Sequence, residues 1–343
     1  MNKQKNSYIE LLRIIFAIIV VLHHTFQSYQ IDGLFYWGGY IAVEFFFVIT
    51  GYMTVAHIEK ASDRSDVECF ALSYSWSKIR PLIGLVALSL VIDGIINYQV
   101  YLSSEESLFN YLYGSFASMM CISMTGITNM LVNSPLWYLS VIIITLPLFI
   151  IFTMRFRKFF KYYGYIFLPL LIHGYLLHYN GSIAYGWASL NTPIDPYLLR
   201  GFGDILLGGF VYDFSVYLRS NKKLNSKLLA ILELTLLCFA LYLINRIYNS
   251  YAMECAVLMI VVSLSISFSG KTLTNLFKNS FVNNLGRMSF GIYCLHFPIL
   301  SMVKKYFPEW SWEVLPLVLI ISLIIYSLYL LLIHIANIVT KNN

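Results

Sequence analysis

The stretch "LLRIIFAIIVVLHHTFQ", residues 11–27, decides how the rest of the chain is read. At about 1.5 Å of rise per residue it is long enough to cross most of a roughly 30 Å hydrocarbon core as one helix. Yet it carries Arg13 near one end and His23 and His24 near the other. Charge inside such a run is costly and normally faces a cavity or a partner. Lys3 and Lys5 precede the run as they would in a signal peptide, but Arg13 interrupts it and no small-residue cleavage site follows, so it reads as a retained first span.

The remaining sequence repeats that pattern. The 343 residues are 59% apolar and 12% charged, with a mean hydropathy of +0.70, far from an ordinary soluble domain. The short alternating segments of a porin are absent, and a bilayer admits only helices or closed barrels. The fold class is therefore all-α, a polytopic membrane protein of about ten transmembrane helices. The spans are expected near 9–28, 35–57, 80–101, 136–154, 161–178, 198–218, 228–246, 251–269, 286–305 and 312–340. No soluble domain, linker or internal repeat is visible, so residues 1–343 are expected to form one transmembrane unit.

Residues 108–127 are apolar enough to compete as a further span, but charge favours an interfacial or re-entrant segment. With the N-terminus cytoplasmic, most of the 23 Lys and Arg residues fall at the inner boundary, among them Lys3, Lys5, Lys78, Arg80, Lys278 and Arg287. Arg246, Lys304 and Lys305 fall outside, and Arg13 and Arg200 lie within spans. A crossing at 108–127 would invert everything after it. The same distribution explains the net charge of +6 without nucleic acid. The five cysteines are scattered singly, with neither metal spacing nor a disulfide framework, and no metal or permanently bound cofactor is expected.

Arg13 and His24 are about three helical turns apart, which places both on one face, separated by about 16 Å along the axis. Snorkelling for Arg13 and an interhelical hydrogen bond for His24 are the bland alternatives. The next helix, "YIAVEFFFVITGYM" at 40–53, holds Glu44 among aromatics, where a carboxylate must be protonated or paired. Consecutive spans usually neighbour each other, so Glu44 can meet His24 and orient it as a general base, or can simply tie helices together. Thr50 and Gly51 suggest close helix packing. Arg200 and Asp204 are expected to pair along their own helix. His57, His173, His178 and His334 have no supporting context.

These residues resemble the membrane-bound acyltransferase-3 family, O-acyltransferases of bacterial surface sugars. That family's first helix carries Arg, ten intervening residues and His, matched by Arg13 and His24. "VEFFFVITGY" at 43–52 is similar to its second-helix signature, and "SPLWYLSVIII" at 134–144 to a later one, through Trp137, Tyr138 and Ser140. "LGRMSFGIYCLHFPIL" at 285–300 follows its C-terminal signature through Gly286, Ser289, Tyr293, His296 and Pro298. "LLRGFGDILLGGFVYDF" at 198–214 is a weaker likeness. The chain departs from the pattern at "SKIRPLIG", 77–84, which lacks the full basic cluster, and at Ile142 and Ile143, where many relatives have glutamates.

The resemblance implies transfer of an acyl group, in the first instance acetyl, from cytoplasmic acetyl-CoA to a carbohydrate hydroxyl facing outward, at the cell membrane. It implies His24 as base with Glu44 orienting it, and Arg13, Lys78 and Arg80 toward the CoA phosphates, while Trp137, Ser140, Tyr293 and His296 are further site candidates. For His296 an interhelical hydrogen bond weighs more than catalysis. A glycan or lipid transporter or flippase, or a non-catalytic sensing bundle, would use similar residues.

Overall fold

The computed structural model describes residues 6–31, 37–61, 64–183, 194–246, 250–272 and 279–342. Lys3, Lys5, Lys278 and the first two residues of the span expected at 35–57 lie outside them. The described residues form helices α1 (Ser7–Ser28), α2 (Ala42–Ile58), α3 (Val67–Ile96), α4 (Glu105–Met119), α5 (Trp137–Arg155), α6 (Tyr165–Asn180), α7 (Pro196–Ser220), α8 (Ser226–Arg246), α9 (Ser250–Ser269), α10 (Ser280–Tyr306) and α11 (Val314–Asn342). Among the described residues there is no strand beyond one isolated bridge between Ser123 and Thr128. Each of the ten expected spans is occupied by a helix.

Among the described residues, seven helices are long and apolar enough to cross a membrane: α1, α2 with its 3₁₀ lead-in from Gly38, α3, α5, α8, α9 and α11. The other three are packed against them. Helix α6 has only 16 residues and follows a π turn at Phe160–Gly164. Helix α7 interrupts its apolar surface with Arg200, Asp204, Asp213 and Arg219.

Residues 108–127 hold no helix of spanning length. Helix α4 has 15 residues, about 22 Å, which is short of the hydrocarbon thickness. Its start is capped by the Ser104 hydroxyl, which accepts from the Ser107 amide at 3.0 Å. It lies along the end of α3, where the Tyr111 hydroxyl donates to the Leu90 carbonyl at 2.9 Å. The chain then turns through Cys121 and Met124, both at positive φ, and is pinned by the Asn133 amide, which donates to Ser89 at 3.2 Å and the Cys294 carbonyl at 2.8 Å.

Helices α1 and α10 run parallel and are tied at both ends. The Asn279 amide donates to the Ser7 hydroxyl at 3.0 Å, and Lys304 donates to the Ser28 carbonyl at 2.5 Å. Lys305 does the same for Ile96 at the end of α3. Two lysines expected outside the inner boundary thus satisfy carbonyls that helix C-termini leave unpaired.

Glycine sets the closest approach, between α2 and α7. A Cβ on Gly51 would lie 2.0 Å from the Ile205 carbonyl oxygen, and one on Gly208 would lie 2.3 Å from that of Val48. Small residues let helix backbones meet where lipid offers no hydrophobic drive to hold them together. Phe16 and Phe45, both fully buried, stack at 4.1 Å between α1 and α2, and Phe47 lies against Gly201 of α7.

Candidate active site

A cavity of about 290 Å³ lies among α1, α2, α3, α5 and α10. Arg13 and Lys78 line one end; Thr50, Tyr138 and Tyr293 line it further toward the His24 end of the bundle; Ile49, Met53, Ile142 and Leu146 contribute apolar wall. The two tyrosines are held by their hydroxyls. Tyr293 donates to the Pro135 carbonyl at 2.6 Å, and the Tyr138 oxygen is 3.3 Å from that of Thr50.

One turn beyond Tyr293 on α10 is His296, fully buried, and its ring centroid is 5.4 Å from that of His24. His296 Nδ1 lies 2.8 Å from the Tyr293 carbonyl and 3.1 Å from that of Ile292. Carbonyl oxygens only accept, so this nitrogen carries the proton and Nε2 keeps a lone pair. That Nε2 is buried without a partner, as is Nδ1 of His24. His24 itself is only half-buried, and Phe297 and His23 flank it edge-on.

On the Arg13 face of α1, Ala17 and Val20 lie between Arg13 and His24, and both are small. Both are almost completely buried, so α1 is packed along the line from the cavity to the histidines. Arg13 retains an accessible guanidinium that pairs with Glu10, one turn away, at 3.3 Å. The Lys78 ammonium stands 4.8 Å over the Tyr74 ring. Arg80 is exposed and is not among the cavity residues. Trp137 packs on Tyr197 and beneath Arg200, and the Ser140 hydroxyl is buried without a partner.

Two expected pairings are replaced. Glu44 meets Arg200, not His24: Arg200 Nε donates to Glu44 Oε1 at 2.6 Å, and its terminal nitrogen to the Tyr40 carbonyl at 3.0 Å. Nor does Arg200 pair with Asp204. The Gly51–Gly208 contact brings α2 so close to α7 that the guanidinium reaches across, and a charge in a dry interior takes the partner giving the best hydrogen bond.

Asp204 faces His173 instead, Oδ1 lying 3.4 Å from Nε2, and His173 Nδ1 is 3.0 Å from Glu254 on α9. His173 thus links α6, α7 and α9. Nothing near it in sequence signals this role, because its partners are distant in the chain. Thr50 was likewise legible only as a packing residue, although its hydroxyl borders the cavity.

An acyltransferase-domain family model, that of acyltransferase-3, matches residues 6–335. No curated protein and no solved structure matches the chain. The matched region contains every residue of the cavity and both facing histidines. The chain is a multi-pass membrane protein of the acyltransferase-3 family, and the activity of that family is acyl transfer.

Proposed function

We propose that the protein transfers an acyl group, acetyl in the first instance, from acyl-CoA to a hydroxyl of a surface polysaccharide, lipid-linked glycan or other exported carbohydrate. The whole chain acts as one unit in the cell membrane, with both termini cytoplasmic. The observation that carries this reading is the cavity, bordered by cations at one end and reaching Tyr293, one turn along α10 from the His296 ring that faces His24.

Arg13 and Lys78 face the CoA phosphates in this reading, with Arg80 at the outer edge of the same cationic surface. Arginine suits that task because its fork gives two parallel hydrogen bonds to phosphate. The thioester arm lies between the apolar walls and extends past Tyr293 toward the histidines. The glycan approaches from the opposite side of the membrane. His24 takes the proton of the acceptor hydroxyl as its oxygen bonds to the thioester carbonyl carbon. As the tetrahedral adduct collapses, the C–S bond breaks and the proton passes to the leaving thiolate.

The test uses membranes bearing the full chain, [¹⁴C]acetyl-CoA and the surface glycan fraction of the same cells. Label should enter the glycan as a base-labile ester, and His24→Ala should lower the rate by about 10²–10⁴-fold while the protein still elutes as a folded species. Full turnover by His24→Ala overturns the assignment of the base. Absence of transfer by the unaltered protein overturns the reaction.

A further inference from the structure

Because Glu44 is held by Arg200, His24 lacks the carboxylate expected to orient it. Gln27, one turn along α1, hydrogen-bonds the His24 side chain, but an exposed amide can donate or accept and so does not decide which ring nitrogen carries the proton. Glu44 is engaged by Arg200 across the α2–α7 contact, and the next polar side chain that meets the His24 ring from another helix is His296.

We infer that His296 orients His24: its free Nε2 lone pair accepts the proton on His24 Nδ1, which leaves His24 Nε2 as the base toward the acceptor hydroxyl. The inference rests on the reading of His24 as base given above. Three observations carry it. The tautomer of His296 is fixed by two backbone carbonyls, so its Nε2 is an acceptor. That nitrogen and His24 Nδ1 are both buried and both without a partner, although burying a polar atom unpaired is unfavourable. The two orphans belong to rings 5.4 Å apart and inclined by 33°, so turning one ring about χ2 closes the gap.

The asymmetry of the pair shows which ring turns. His296 is fully buried and pinned, whereas His24 is half-buried. His24 therefore swings onto a fixed acceptor. During transfer the hydroxyl proton moves to His24 Nε2 while the new C–O bond forms, and the resulting imidazolium directs its Nδ1–H at His296. When the C–S bond breaks, that proton leaves from Nε2 to the thiolate. His296 exchanges no proton and acts as a positioning residue.

The discriminating experiment compares two variants of the full chain in membranes, again with [¹⁴C]acetyl-CoA and the glycan fraction. His296→Leu removes the acceptor and should lower kcat at least about tenfold, with the KM for acetyl-CoA unchanged. His296→Gln restores an accepting oxygen and should recover at least about half of the lost rate constant. A role in packing alone would not distinguish them in this way. Wild-type turnover by His296→Leu, or a Gln variant that folds yet is as impaired as Leu, overturns the inference. If His296→Leu aggregates, His296→Met is judged by the same criteria, and a folded Gln variant running below about a tenth of the wild-type rate overturns it alone. Failure of the wild-type protein to transfer acetyl at all would instead strike the underlying reaction, and it is seen before any variant is compared.

Discussion

The Arg200 guanidinium reaches from α7 to the Glu44 carboxylate of α2 at 2.6 Å, where both side chains are almost completely buried. This contact ties together the two helices whose glycines already touch. It also withdraws the second helix's carboxylate from chemistry at His24, because a buried anion that lost its cation would be left uncompensated.

Removing one partner of that pair should therefore cost more than removing both. Arg200→Met is expected to destabilise the protein by about 3–5 kcal/mol, and adding Glu44→Met should return most of the loss. Thermal unfolding of detergent-solubilised protein, followed by size-exclusion fluorescence, measures both steps.

Arg13 should matter to the nucleotide end of the donor and not to its acyl end. For Arg13→Gln the KM for acetyl-CoA is expected to rise about 10–100-fold, the worth of one charge-assisted hydrogen bond of about 1.5–3 kcal/mol. The KM for acetyl-pantetheine, which lacks the phosphates, should stay within about twofold of wild type, a gap too small for a lost charged contact. Steady-state kinetics with the two donors checks this, and equal effects on both would remove Arg13 from the phosphate site.

Ile142 stands in the cavity wall, and its bulk limits the free volume there. Ile142→Trp should fill that space and raise the KM for acetyl-CoA at least about tenfold, a difference of about 1.4 kcal/mol. Because the new ring enters existing free volume, the melting temperature is expected to fall little. Donor titrations and a melting curve on the same preparation test the two halves of this statement.

Gly51→Ala should weaken the bundle through its backbone contact. Its Cβ would lie 2.0 Å from the Ile205 carbonyl oxygen, which belongs to backbone and cannot turn aside. The α2–α7 contact must then open, at a cost of about 1–3 kcal/mol, with Gly208→Ala behaving alike. Both are measured by thermal unfolding, and a double substitution no worse than either single one would show that they act on one contact.

The sequence by itself determined that this is a helical membrane protein, where its helices run, and that Arg13 and His24 share a face. These follow from local quantities: run length against bilayer thickness, the 3.6-residue period, and the tally of charge between runs. Even the family was legible, because its signatures are short and ordered along the chain. Only the tertiary structure decided which buried charge meets which. Arg200 passed over Asp204, four residues away, for Glu44, and His173 gained two acidic neighbours that no spacing announces. His296, a site candidate in the sequence for which an interhelical hydrogen bond weighed more than catalysis, stands against His24. A long polar side chain in a dry interior takes the best partner within reach, and reach is set by how helices pack across the bundle. That packing depends on a few close contacts such as Gly51 against Gly208, which local periodicity does not encode.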